Sequence, residues 1–294
     1  MWKTKSEIMR HVLFLFFVFI AGAMLFAPLN GLFHSRDIQD YHSLIPVIPF
    51  VSGYLLYSKR KDIYLKKSYS FRIGAAVILI GIVLYVAGHT VGAGLNLTDY
   101  ASIITFSALA LFWGAFILSY GSRAFRSALF PLLFLIFMVP IPVIIIDKII
   151  TFLQVGSTEF TNLLLLASGA PFFREGFVFH LPGQSVEVAK ECSGIRSCLA
   201  LFITALLAGH LFLKTWWKQV ILLVCVFPIT MFKNGIRITT LTLLGTYVDP
   251  RILQSSLHRE GGIPFFIVAL ILMAPILFFL RKSEKKMYPA SSAE

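Results

Sequence analysis

Long apolar runs recur along almost the whole chain, and they constrain its fold more than any other feature. An α-helix needs about 20 mostly apolar residues to cross the hydrocarbon core of a bilayer. The sequence predicts eight such spans, and one of them is short and carries two prolines. The predicted spans are 11–33, 43–58, 73–90, 101–120, 128–146, 194–213, 219–237 and 264–280. We therefore expect an all-α polytopic membrane protein with about eight transmembrane helices, built as a single integral membrane domain over residues 1–294.

Composition supports this class and excludes two others. The chain is 57% hydrophobic and only 14% charged, whereas a soluble domain has roughly 45–50% apolar and about 25% charged residues. This excess excludes an ordinary soluble enzyme. The 15% of aromatic residues also excludes a disordered chain, because disordered chains are poor in aromatic residues and rich in charge.

The net charge of +12 is explained by membrane topology. With the N-terminus inside and the eight spans alternating, 17 of the 26 Lys and Arg residues fall inside and 9 outside. Because cytoplasmic loops carry the excess of Lys and Arg, both termini are predicted to be cytoplasmic, including a basic tail at 281–294. No nucleic-acid partner is needed to explain the charge. The first span resembles a signal peptide, but its apolar run continues to Phe33, so we expect a retained anchor.

Residues 146–193 are predicted to form an extracytoplasmic insert between two spans. Its first half has apolar residues at helical spacing, which predicts a helix lying along the membrane interface. Its second half alternates apolar and polar residues on both sides of a turn at 182–185. This pattern predicts a short β-hairpin that ends just before Cys192.

Cys192 lies at the predicted start of a membrane helix, in the sequence ECSGIR. Free backbone N–H groups and the positive end of the helix dipole stabilise a thiolate there. Arg196, four residues later, is expected on the same helical face. The alternative is that a lone Cys is a small buried hydrophobe, which fits Cys198 and Cys225 because both lie within apolar spans.

Arg237 lies at the predicted end of the next span, level with Cys192. Apolar residues surround it in sequence, and a partly desolvated guanidinium is a strong hydrogen-bond donor to an oxyanion. Lys233 and Asn234 lie on the same helical face. The alternative is an arginine whose charged end extends to the membrane interface.

His258 lies in the predicted outer loop before the last span. Imidazole is the usual acid or base beside a thiol, although a solvated loop histidine is also common, and His180 in the hairpin competes for the role. Outer cations are concentrated in this last third of the chain: Lys190, Arg196, Lys233, Arg237, Arg251 and Arg259. Such an enrichment on the side that normally lacks positive charge indicates a site.

These motifs together resemble the exosortase/archaeosortase family. The resemblance is carried by the sequence ECSGIR at 191–196, by NGIRI at 234–238, and by His258 with two glycines shortly after it. Weaker support comes from VPIPV at 139–143 and from residues 41–56, so the resemblance covers most of 41–280. CSG alone is a weak motif, but the combination is specific.

The resemblance implies a membrane cysteine transpeptidase or thiol protease. It implies that Cys192 is the nucleophile, Arg237 an essential cation and His258 the third catalytic residue. Archaeal members tend to carry Arg at that third position, so the adjacent Arg259 remains an alternative. We favour His258 because a neutral imidazole can transfer protons and a guanidinium cannot.

The resemblance also implies the substrate, namely exported proteins with a C-terminal sorting signal. Such a signal consists of a short motif, often Pro-Glu-Pro in bacteria, then a hydrophobic helix and a basic tail. The enzyme is then expected in the plasma (inner) membrane, among lipids, with its active site facing the extracytoplasmic side. The acceptor stays open between water, which gives hydrolysis, and a lipid or glycan. Supporting or substrate-binding roles are expected for the neighbouring residues Lys190, Glu191, Arg196, Lys233, Asn234 and Arg259.

Two other classes of protein compete with this interpretation. A transporter or channel would place polar groups near the bilayer midplane, yet spans three to five contain almost no ionisable residues. A lipid- or polysaccharide-modifying membrane enzyme would also place its site at an interface. The outer carboxylates form no DxD or HExxH pattern, so we expect no metal and no other cofactor.

Overall fold

Apolar helices make up most of the structure, and a small β-sheet is inserted between two of them. The computed structural model describes residues 5–34, 42–65, 70–249, 251 and 262–287. Contacts between residues divide the chain into two units, 1–145 and 146–294, which we describe separately. The helices of the first unit are α1 (Lys5–His34), α2 (Val47–Ser58), α3 (Arg60–Leu65), α4 (Phe71–Val91), α5 (Leu97–Tyr120), α6 (Ser122–Ser127) and α7 (Leu129–Phe134).

The second unit contains the sheet and four long helices, the first of which begins just before the unit boundary. Its elements are α8 (Val143–Ser168), β1 (Phe173–Glu175), β2 (Val178–Leu181), β3 (Gln184–Glu187), α9 (Ile195–Phe212), α10 (Trp216–Tyr247) and α11 (Gly262–Met287). Short 3-10 turns lie at Gly92–Gly94, Leu135–Met138 and Lys190–Cys192.

Seven helical segments among the described residues are long and apolar enough to cross a membrane. They are Ile8–His34, Phe71–Val91, Leu97–Tyr120, Val143–Ser168, Lys190–Phe212, Trp216–Tyr247 and Ile263–Glu284. These segments confirm the prediction of a helical, multi-pass membrane protein. The sidedness of the termini, the extent of the extracytoplasmic insert and the single-domain organisation stay predictions.

The structure differs from the predicted eight spans in two places. The predicted span 43–58 forms only the 12-residue helix α2. The predicted span 128–146 is interrupted, because Pro140 and Pro142 lack a backbone N–H and disfavour helical geometry in the residue before them. The chain is non-helical at 139–142, and α8 then runs for 26 residues from Val143. The expected interfacial helix is therefore part of this long helix.

In the first unit, α5 is the most enclosed of the described helices. On α4, Gly74, Gly81 and Gly88 are spaced seven residues apart and all three are buried. A Cβ atom at any of them would come within 3.0 Å of an atom of α5. Glycine at these positions lets the two helices approach closely, as is common in membrane proteins.

In the second unit, the sheet is antiparallel with the strand order β1-β2-β3. The predicted hairpin is confirmed, and Phe179 lies opposite Val186 across its turn. The strand β1 is an addition that the sequence analysis did not predict. Phe179, Leu181 and Val188 are buried against Leu165 of α8 and Ile238 of α10, so the sheet rests on these two helices.

An ion pair also fixes the sheet to α8. The guanidinium of Arg174 on β1 donates hydrogen bonds of 3.1 and 2.7 Å to the two carboxylate oxygens of Glu159. Its Nε donates to the Gly176 carbonyl at 2.9 Å. The hydrogen bonds to Glu159 hold the pKa of Arg174 above its usual value. This paired geometry is the stronger form of a salt bridge, so β1 is held in a defined position on α8.

The N-terminal end of α10 is joined to α11. The Glu284 carboxylate accepts hydrogen bonds from the backbone N–H groups of Lys214 and Thr215, at 3.0 and 2.7 Å. Lys218 is buried, and its Nζ donates to Ser283 Oγ at 2.8 Å. Because Glu284 satisfies N–H groups that precede the first turn of α10, it acts as a cap supplied by another helix.

Candidate active site

Cys192 ends the 3-10 turn that follows β3. Its backbone N–H donates to the Ala189 carbonyl at 2.9 Å, and its side chain is half-buried. The sequence predicts Cys192 at the start of a membrane helix. In the structure α9 begins three residues later, at Ile195, so the thiol belongs to the connection between the sheet and α9.

Gly194 redirects the chain between Cys192 and α9. Its φ is 81°, in the left-handed region that favours glycine. Because of this change of direction, Cys192 and Arg196 do not share a helical face, and the expected four-residue relationship does not hold. Arg196 is exposed on the first turn of α9.

Asn234 of α10 holds the backbone of Cys192 in place. Its side chain is completely buried. Its Nδ2 donates to the Cys192 carbonyl at 2.6 Å and to Ser157 Oγ of α8 at 3.1 Å. A single amide therefore connects the turn that carries the thiol to two long helices.

Arg237 lies three residues beyond Asn234 on α10 and is half-buried. Burial is the largest influence on the ionisation of the Cys192 thiol, and the nearby charges of Arg237 and Glu191 act on it in opposite directions. The structure thus brings together two of the three predicted catalytic residues. In the structure α10 also continues to Tyr247, ten residues past the predicted end of that span. Ile238, the residue after Arg237, helps to support the sheet.

Comparison with known families decides the class of this protein. A family model described as transmembrane exosortase matches residues 35–275. The chain belongs to the transmembrane exosortase family. Comparisons with curated proteins and with solved structures found no match. At family level, membership supports a membrane cysteine transpeptidase that acts on exported proteins with C-terminal sorting signals. It favours this class over the transporter and lipid-modifying alternatives.

Lys233 of this exosortase, for which a supporting or substrate-binding role is predicted, is only 2% exposed. Its Nζ donates to Ser197 Oγ at 2.6 Å, and Ser197 in turn donates to the Gly194 carbonyl at 2.9 Å. This placement favours a role in joining α9 to α10 over direct contact with substrate.

The remaining predicted site residues fall into two groups. Lys190 and Glu191 are exposed in the turn that carries Cys192, as Arg196 is on α9. His258 and Arg259 lie outside the described residues, so their relation to the thiol stays a prediction. The competing histidine, His180, shares a hydrogen bond of 2.8 Å with Ser185 Oγ within the sheet.

Two supporting residues on α8 were missed by the sequence analysis. Ser157 bonds Asn234 as described, and Gln154 donates to the Val188 carbonyl at 2.7 Å, just before the turn of Cys192. Gln154, Ser157, Thr158 and Thr161 are all buried. Their spacing of three to four residues marks one polar stripe on an apolar helix. A polar stripe of this kind is the signal in the sequence by which such buried contacts can be recognised.

Proposed function

We propose that this exosortase is a thiol transpeptidase that cleaves the C-terminal sorting signal of exported proteins through a thioester on Cys192. The observation that carries the proposal, in a protein of this family, is that the helix bearing Arg237 also holds the Cys192 carbonyl, through the Asn234 amide three residues earlier, at 2.6 Å. The thiol, a cation and a buried amide that fixes the thiol's backbone are the parts that acyl transfer requires.

In the first step, the Cys192 thiol transfers its proton to His258, and its sulfur forms a bond to the scissile carbonyl carbon. The carbonyl oxygen becomes an oxyanion, to which the Arg237 guanidinium donates hydrogen bonds. A typical donor to an oxyanion is worth about 3–4 kcal/mol of barrier. Arg237 suits this role because its planar, permanently charged group does not exchange its protons with the thiol.

In the second step, the carbon–nitrogen bond of the substrate breaks, and the protonated His258 gives its proton to the leaving amine. The acyl group remains on Cys192 as a thioester. An acceptor then attacks the thioester while His258 takes the acceptor's proton, and the Cys192 sulfur leaves as a thiolate. Water as the acceptor gives hydrolysis, and a lipid or glycan gives transfer.

The substrate's position follows from its chemistry. Its hydrophobic helix lies in the bilayer beside the spans of the enzyme, and its basic tail stays in the cytoplasm. The cleavage motif then emerges on the extracytoplasmic side, where we place Cys192. The exposed Lys190 and Arg196, with Arg259, attract an acidic residue of the motif, while Glu191 adds a negative charge beside the thiol.

The test is co-expression of the enzyme with an exported reporter that carries a motif, a hydrophobic helix and a basic tail. Cys192→Ala and Cys192→Ser are expected to abolish processing while the protein still accumulates in the membrane. Cys225→Ala, which alters another half-buried cysteine, is the matched control and is expected to process normally. Mass spectrometry of the mature C-terminus identifies the acceptor. Normal processing by Cys192→Ala would refute the proposal.

A further inference from the structure

We infer that Asn234 is a positioning residue of the reaction: its amide sets the place of Cys192 relative to Arg237. This inference rests on the proposed function, because it assigns a role within the same site. It concerns a residue that the resemblance left with only a general supporting role.

The geometry links the amide to the nucleophile directly. Asn234 Nδ2 donates to the carbonyl of Cys192 itself, at 2.6 Å. The same nitrogen donates to Ser157 Oγ at 3.1 Å, so the amide is held from α8 as well. Ser157 and Asn234 are both completely buried. In such an enclosed place the amide has little freedom to rotate, and the carbonyl of Cys192 is held with it.

The position of Asn234 on α10 makes this contact relevant to chemistry. Arg237 follows three residues later, about one helical turn along, and its charge acts on the Cys192 thiol. One rigid helix, α10, therefore sets the positions of both the thiol and the guanidinium. Without Asn234, the turn at Lys190–Cys192 keeps its own backbone hydrogen bonds but loses its hydrogen bond to α10.

Only the donor half of the Asn234 amide makes hydrogen bonds with the described residues. Asn234 Oδ1 is buried and makes no hydrogen bond with any of the described residues. A buried polar atom without a partner lowers stability, and such an atom in a native structure calls for an explanation. The hydrogen bonds from Nδ2 to Cys192 and Ser157 are therefore the polar contacts that Asn234 contributes at this position.

The experiment uses the full-length enzyme with two substitutions of similar size. Asn234→Asp removes both N–H donors and keeps the shape, and Asn234→Leu removes all polar atoms. Thr242→Val is the matched control, because Thr242 is also buried on α10 and its hydroxyl makes no hydrogen bond with a described residue. Two readouts are measured: the rate of reporter processing per folded enzyme, and amide hydrogen exchange of the 189–194 segment.

Both variants are expected to process about 100-fold more slowly, since a misplacement of about 1 Å costs that much. Hydrogen exchange at 189–194 is expected to accelerate while α10 stays protected, and Thr242→Val is expected to match the wild type in both readouts. Unchanged exchange at 189–194, or wild-type processing by both variants, would overturn the inference. Hydrogen exchange is measured without substrate, so it tests the inference independently of the proposed function. A failure of the proposed function is seen separately, as normal processing by Cys192→Ala.

Discussion

Replacement of Gly194 by alanine tests how closely the backbone beside Cys192 is specified. The φ of 81° costs a residue with a side chain about 1–2 kcal/mol. The added Cβ would also lie 3.2 Å from Cγ and 3.3 Å from Oδ1 of Asn234. Ordinary contacts begin near 3.4 Å, so the amide must shift or turn to accommodate the methyl group.

The contact of the added methyl group with Asn234 distinguishes Gly194 from other glycines that have a positive φ. A shift of the Asn234 amide weakens its hydrogen bond to the Cys192 carbonyl, and a buried hydrogen bond contributes about 0.5–1.5 kcal/mol. The free energy of unfolding is therefore expected to fall by about 1.5–3.5 kcal/mol, the sum of the strain and the weakened bond. Processing per folded enzyme is expected to fall at least about tenfold, because the nucleophile itself is displaced.

Gly169 provides the matched control. Its φ is 72°, and an added Cβ there would meet nothing within 4 Å. Gly169→Ala therefore introduces the same kind of backbone strain without the contact with Asn234. Melting in detergent measures stability, and the reporter assay measures processing. If Gly194→Ala processes as well as Gly169→Ala, Asn234 does not control the position of Cys192 in the way described.

Three further predictions concern the catalytic cation, the third catalytic residue and the helix connection. Arg237→Lys is expected to slow processing about 100-fold or more, because the planar donor is lost, whereas Arg251→Lys, at an exposed position, should leave the reporter assay unchanged. His258→Gln is expected to abolish processing while Arg259→Gln retains it; the opposite result would assign the third role to Arg259. Glu284→Ala is expected to lower the free energy of unfolding by about 1–2 kcal/mol through loss of the cap. A melting temperature equal to that of the wild type would contradict that last prediction.

The sequence predicted the class of fold well, because lipid imposes a strong and local requirement on composition. A run of about 20 apolar residues is visible without any knowledge of its neighbours, and the alternation around residues 182–185 revealed the hairpin in the same way. The interruption of the helix near residue 140 was harder to predict. There, two prolines outweigh a continuous apolar pattern and move the start of the helix to Val143.

The site was predicted less completely, because its decisive contacts join residues far apart in sequence. The motifs identified Cys192 and Arg237, but the bond between Asn234 and Ser157 spans 77 positions. The burial of Lys233 likewise depends on Ser197 of another helix. No spacing rule within one helix predicts such pairs. The polar stripe along α8 was the available indication in the sequence, since polar residues on one face of an apolar helix need partners.

One short stretch of α10 carries three side chains that act on Cys192 and its surroundings. Lys233 holds the first turn of α9 through Ser197, Asn234 holds the carbonyl of Cys192, and Arg237 acts on the thiol. Residues 233, 234 and 237 lie on one side of the helix, because a spacing of four residues is close to one turn. A helix is stiff over this distance, so the three side chains keep a fixed separation. In the proposed mechanism, the arrangement of thiol and guanidinium therefore depends on the position of α10. The sheet supports this helix beyond Arg237, and Glu284 joins its beginning to α11.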